Sequence, residues 1–218
     1  MTGPLTIVVA DDHALVRRCL AEMLTRPPAL LVVADVSSTD EAITAAIRHQ
    51  PDIVILDIDI PGVGSFEAAK IIQSRCPKTK IMFLSAFAHD RYIEAALKAG
   101  AMAYVTKTDP PEVLVRAIQS VGLGSTYFSP EVQDRLVIES NGVSLRFTAS
   151  AKVSSLTPRE LEVLRYIAKG HSKKEIAATL HLSVKTVENH VARVMGRLNI
   201  HDRVELTRFA IREGLAEA

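Results

Sequence analysis

The feature that most restricts the fold is an alternation in the first 121 residues, where short β-branched runs take turns with longer amphipathic stretches. The runs are Leu5–Ala10, Leu30–Val36, Ile53–Leu56, Ile81–Leu84 and Ala103–Thr106. Between them, apolar residues recur at helical spacing in Ala14–Leu24, Glu41–Arg48, Phe66–Arg75, Arg91–Ala99 and Pro111–Val121. Parallel strands need a crossover, and an intervening helix supplies it. The expected architecture is therefore α/β, a doubly wound five-stranded parallel sheet. A strand covered on both faces is continuously apolar, as "IVIL" at Ile53–Leu56 is.

In such sheets ligands sit beyond the carboxyl ends of the strands. Asp57 follows Ile53–Leu56, Asp11 and Asp12 follow "IVVA", Ser85 follows "IMFL", and Lys107 follows "AYVT". Three carboxylates, a hydroxyl and an ammonium should meet in one crevice. Crowded carboxylates repel one another, and a hard divalent cation relieves that, with Mg2+ suited to a site that also meets phosphate. With the charge screened, Asp57 can attack an electrophilic phosphorus to form an aspartyl phosphate. Lys107 would pair with the phosphoryl oxygens and Ser85 would donate a hydrogen bond.

The pattern changes after residue 121. "GLGSTYFSP" is a turn-rich break, Ser129 and Pro130 can open a short helix through about Glu139, and "SNGVSLRFTASAKVSS" reads as a polar linker. From Leu156 the signals are helical throughout. "TPRE" sets Thr157 as N-cap with Glu160 at N3, "SKKE" repeats this with Ser172 and Glu175, and Ser183 precedes "VKTVENHVARVMGRL". The expected organisation is 1–121, a linker with a short helix at 122–154, and an all-α four-helix unit with a helix-turn-helix at 155–218. Val187, Val191, Val194 and Leu198 mark the inner face of its long helix, while Lys185, Glu188, Asn189 and Arg193 share the outer face. Such a helix after a tight turn suits docking in a DNA major groove.

Charge agrees in direction. The first 125 residues carry 12 basic against 14 acidic residues, while 155–218 carry 11 against 8. A basic tail favours an anionic partner. No run approaches the roughly 18 apolar residues of a membrane span, and the N-terminus lacks the features of a secretory signal, so a cytoplasmic location is expected. Cys19 and Cys76 are far apart and are expected to be small buried hydrophobes, with neither disulfide nor zinc.

The motifs "VVADDH", "VILDIDIPG", "LSA" and "AYVTK" resemble the CheY-like receiver domain of two-component response regulators. The segment "LTPRELEVLRYIAKGHSKKEIAATLHLSVKTVENHVARVMGRLNIHDRVEL" is similar to the DNA-binding domain of the NarL/LuxR family. The resemblance implies that Asp57 takes phosphate from a phosphohistidine of a sensor histidine kinase. It implies Asp12 as a direct Mg2+ ligand supported by Asp11, Asp59 contributing its backbone carbonyl, and Tyr104 as the switch aromatic that moves with Ser85. It also implies Lys185, Glu188, Asn189 and Arg193 as base or backbone contacts on promoter DNA, with Thr186 and Lys174 toward phosphates. A homodimer, formed when phosphorylated or on DNA, would use Val204, Leu206, Thr207 and Ala210. In this family the receiver often masks the recognition helix until phosphorylation frees it.

Departures from the family pattern stand at "VGSFE", where Gly64 and Ser65 occupy positions commonly Asp and Gly, and at Lys173, where Asn is common. Two rival readings are a phosphatase of the haloacid-dehalogenase type, suggested by "DID" at Asp57–Asp59, and a DNA-binding protein with an inert receiver. Against the first stand Asp11–Asp12, the missing cap insertion and the appended helix-turn-helix.

Overall fold

The structure is a computed structural model that describes residues 3–86, 88–133, 136–139, 142–145 and 155–215. Strands β1 (Leu5–Ala10), β2 (Leu30–Val36), β3 (Ile53–Asp57), β4 (Lys80–Ser85) and β5 (Ala103–Thr106) fall where the apolar runs predict. They alternate with α1 (Ala14–Thr25), α2 (Thr39–His49), α3 (Ser65–Arg75), α4 (Asp90–Lys98) and α5 (Pro111–Gly122). All pairings are parallel, and a short β6 (Tyr127–Phe128) joins the edge, giving the order β2-β1-β3-β4-β5-β6. The sheet thus has six strands among the described residues, rather than five. The chain reverses its winding between β1 and β3, so the crevice opens where those strands end.

The pleat divides each strand between two cores. Ile7, Val9, Ile53 and Ile55 pack with Leu114, Ile118 and Val121 of α5, whereas Val8, Val54, Leu56 and Phe83 pack with Ala42, Phe66, Ile72 and Tyr92. The second core does not stop at the sheet. It continues through Leu156, Leu161 and Leu164 into the C-terminal helices.

Those helices are α7 (Pro158–Ala168), α8 (Lys173–Thr179), α9 (Val184–Leu198) and α10 (Arg203–Arg212). Both capping boxes form as the sequence predicts, at Thr157 with Glu160 and at Ser172 with Glu175, and Ser183 caps α9. One carboxylate oxygen of Glu160 accepts from Thr157 N at 2.8 Å, Thr157 Oγ1 at 2.9 Å and Arg197 at 2.6 Å. Thr157→Ala removes the cap, and thermal or urea unfolding should show a loss of about 1 kcal/mol.

Between the halves the structure departs from the sequence reading. The short helix, α6 (Pro130–Gln133), is brief, and Leu136–Glu139 is strand β7, paired antiparallel with β8 (Gly142–Leu145). The predicted linker thus holds a hairpin, and β8 packs against α4. Within that stretch, residues 134–135, 140–141 and 146–154 lie outside the described residues. Pro110 stands at the N-cap of α5, and the Asp109 carboxylate just before it accepts from Thr106 N at 2.9 Å and Oγ1 at 2.6 Å. Cys76 is buried as expected, but Cys19 is exposed on α1. Among the described residues no helix is long and apolar enough to cross a membrane.

Candidate functional site

The strand ends deliver their side chains to one crevice of about 450 Å3, lined in part by Asp57, Asp59 and Lys107. Asp57 and Asp11 are buried, and Lys107 Nζ lies 2.8 Å from Asp57 Oδ2 and 2.7 Å from Asp11 Oδ2. The other Asp57 oxygen accepts from the Asp59 N–H at 3.1 Å. Burial pushes the Asp57 carboxyl above its ordinary pKa; Lys107 opposes that rise and Asp11 adds to it. Burial alone would depress the Lys107 ammonium, but Asp57 and Asp11 outweigh it and hold its pKa above the usual lysine value.

Ligand atoms of Asp11, Asp12, His13 and Asp57 lie within 4.8 Å of one another. Their oxygen donors suit a hard divalent cation, so the residues fit the Mg2+ expected from the sequence. His13, whose Nδ1 lies 2.8 Å from Asp12, was not singled out in the sequence, although it follows the acid pair directly. Ser85 and Tyr104 are buried side by side, and the Tyr104 hydroxyl is hydrogen-bonded to the Ser85 side chain. Burial raises the pKa of that phenol.

Asp59 is placed differently from its sister acids. Its carboxylate turns to α7, accepting from Arg165 at 2.5 Å and pairing with Lys169. Burial would raise its pKa, yet the two cations together hold it below the carboxylate range. Arg165 is itself buried, with its guanidinium 5.6 Å from the centre of the Tyr92 ring on α4. The loop after β3 is tied a second time, by Gly62 N–H to Thr179 O at 3.0 Å. Nothing in the sequence signalled Arg165 or Lys169, because their partner lies 106 and 110 residues away.

On α9, Lys185, Asn189 and Arg193 are exposed, as is Lys174 on α8. Glu188 is flanked by Lys173 at 3.5 Å and Lys185 at 3.7 Å. The lysine at the position where Asn is common thus screens the acid. Thr186 is half-buried, its N–H and hydroxyl bonded to Ser183 Oγ at 3.0 and 2.8 Å. Among the described residues the receiver half packs on α7 and the end of α8 and leaves this outer face of α9 exposed, so masking of that face is not the arrangement seen among them. Leu206 and Ala210 are fully buried in the helical unit's own core, because α10 turns them inward with Phe209. They have no surface to offer a second subunit; of the four residues expected at a dimer interface, Val204 is exposed and Thr207 half-buried.

The comparisons with known proteins agree with this architecture. Residues 7–119 match the response regulator receiver domain, and residues 154–210 match the bacterial regulatory proteins of the luxR family. Oxygen regulatory protein NreC of Staphylococcus epidermidis is 37% identical over 215 residues, covering 97% of this chain and 99% of that one. A LuxR-family two-component response regulator from Aurantimonas sp. SI85-9A1 is 31% identical with a TM-score of 0.58, covering 61% of this chain and 94% of its own. RcsB of Salmonella typhimurium shares the fold over 95% of this chain and 97% of its own, at 22% identity and a TM-score of 0.72. A receiver joined to a LuxR-type helix-turn-helix defines a response regulator that acts on transcription rather than an enzyme. The chain belongs to the NarL/LuxR type of that family, which displaces the phosphatase reading.

Proposed function

We propose that Asp57 stores a signal as an acyl phosphate received from a sensor histidine kinase, and that the C-terminal unit converts it into promoter binding. The observation that carries this is the contact of buried Asp57 with Lys107 at 2.8 Å beside Asp11 and Asp12. An Asp57 oxygen attacks the phosphorus of a phosphohistidine, the P–N bond breaks, and the imidazole leaves with a proton. Lys107, released from the carboxylate, pairs with the phosphoryl oxygens. Asp12, Asp11, Asp57 and the Asp59 carbonyl would hold Mg2+, which supplies charge screening of the attacking carboxylate and the phosphoryl group. Ser85 then donates to a phosphoryl oxygen, and Tyr104, its present partner, responds. That change biases β4, α4 and β5, and α4 meets the C-terminal unit through Tyr92 and Arg165.

On this reading residues 1–121 are the receiver, 122–154 the connection and 155–218 the DNA-binding domain of a cytoplasmic protein. Lys185, Glu188, Asn189 and Arg193 would face the major groove, with Thr186 and Lys174 toward phosphates. RcsB, which shares the fold, has been solved in complex with DNA. Dimerisation would place two α9 helices on half-sites about one helical turn apart, with Val204 and Thr207 toward the partner copy.

The test is promoter binding by anisotropy before and after uptake of phosphate from a small acyl phosphate with Mg2+. The phosphorylated chain should bind more tightly; equal affinity would overturn the coupling. Lys174, placed toward phosphates, gives a second test: Lys174→Ala should weaken binding to every sequence and reduce the slope of log affinity against log salt by about 1. Binding with an unchanged slope would remove Lys174 from the interface.

A further inference from the structure

The crevice that holds Asp57 is completed by the other half of the chain, since Lys169 of the C-terminal unit lines it together with Asp57, Asp59 and Lys107. Lys169 follows the last residue of α7, and Arg165 precedes it by one helical turn, so both cations lie on one side of that helix and reach the same carboxylate. That carboxylate, Asp59, is joined to the phosphoacceptor through its own N–H, 3.1 Å from Asp57 Oδ1. Four acids therefore meet here, Asp11, Asp12, Asp57 and Asp59, and three cations answer them. Lys107 belongs to the receiver; the other two arrive only when α7 docks.

A divalent cation among the same acids would answer the same repulsion. Positive charges at neighbouring positions repel, and where two occupants share one field, each lowers the affinity for the other by the same factor. We propose that Lys169, with Arg165, is part of the ion site: docked α7 supplies charge that Mg2+ would otherwise bring, so docking and Mg2+ binding oppose each other. This rests on the reading above that the acids take a divalent ion. It makes the C-terminal unit a direct modulator of the site where phosphate is received, and loading of that site a direct means of loosening the unit. The contact needs no relay through α4, because the loop that carries Asp59 is the loop that α7 and α8 grip.

Calorimetric titration of the full chain with MgCl2 tests this. Lys169 is 37% exposed, so Lys169→Gln removes the charge with little risk to folding. Lys98→Gln, at an exposed lysine paired with Glu94 at the end of α4, removes the same charge elsewhere. Lys169→Gln should bind Mg2+ about threefold or more tightly than the native chain, and added salt should narrow the difference. Lys98→Gln and Lys169→Arg should match the native chain. Equal Mg2+ affinity in native and Lys169→Gln proteins would overturn the proposal and leave the response-regulator reading standing. If neither protein bound Mg2+ nor gained a phosphoryl group, that reading would fall and the proposal with it.

Discussion

Incubated with Mg2+ and acetyl phosphate, the native chain should gain the mass of one phosphoryl group, and Asp57→Asn should gain none. An amide oxygen is a far weaker nucleophile than a carboxylate, and the neighbouring acids are committed elsewhere: Asp11 pairs with Lys107 at 2.7 Å and its backbone carbonyl accepts from Arg17, and Asp59 is engaged by α7. The loss should be complete rather than partial. It should not come from unfolding, because Asn keeps the size of Asp and removes a buried charge from a crowded site. Melting of Asp57→Asn at or above the native temperature would confirm that the chemistry alone was lost. An adduct on the variant would place the phosphoacceptor elsewhere.

Leu206→Ala should cost about 2–5 kcal/mol of stability in the C-terminal unit, the range for emptying a fully buried leucine site. Val204→Ala, two residues earlier on the same helix and 58% exposed, should stay within about 0.5 kcal/mol. Denaturant unfolding of the two variants separates the roles that α10 assigns them. If Leu206→Ala were neutral in stability but abolished self-association, the inward turn of α10 would be wrong and the original dimer assignment right.

How much could be read from the chain follows from the range of the interactions. Asp57, Ser85 and Lys107 were legible because a buried strand announces itself in consecutive residues and its end marks the crevice. The capping boxes were legible because each spans only a few residues. Strand β6 was not, since two residues, Tyr127–Phe128, cannot show a period and the surrounding glycines and serine read as a break. The hairpin β7–β8 was not legible either, because the apolar residues of its first strand follow Pro130 closely and were assigned to a helix. Leu206 was placed at a dimer interface by resemblance alone, which does not say whether an apolar residue of the last helix meets its own unit or a second copy; here it is buried in its own unit. The ion pairs of Asp59 had no local trace at all.

Gly64 limits how freely such a protein can be rebuilt from parts. A Cβ there would stand 3.1 Å from Glu162 Oε1 and 3.4 Å from the Arg159 guanidinium, across the junction of the two halves. Glu162 is buried, its pKa raised by that burial against the pull of Arg159. The aspartate common at this position in the family would press a second acid against it. A chimera carrying this C-terminal unit on a receiver with that aspartate would bring a further carboxylate against Glu162, and its junction should be looser than the native one. The receiver loop and α7 are matched here by the absence of a side chain, and the glycine keeps the room their junction uses.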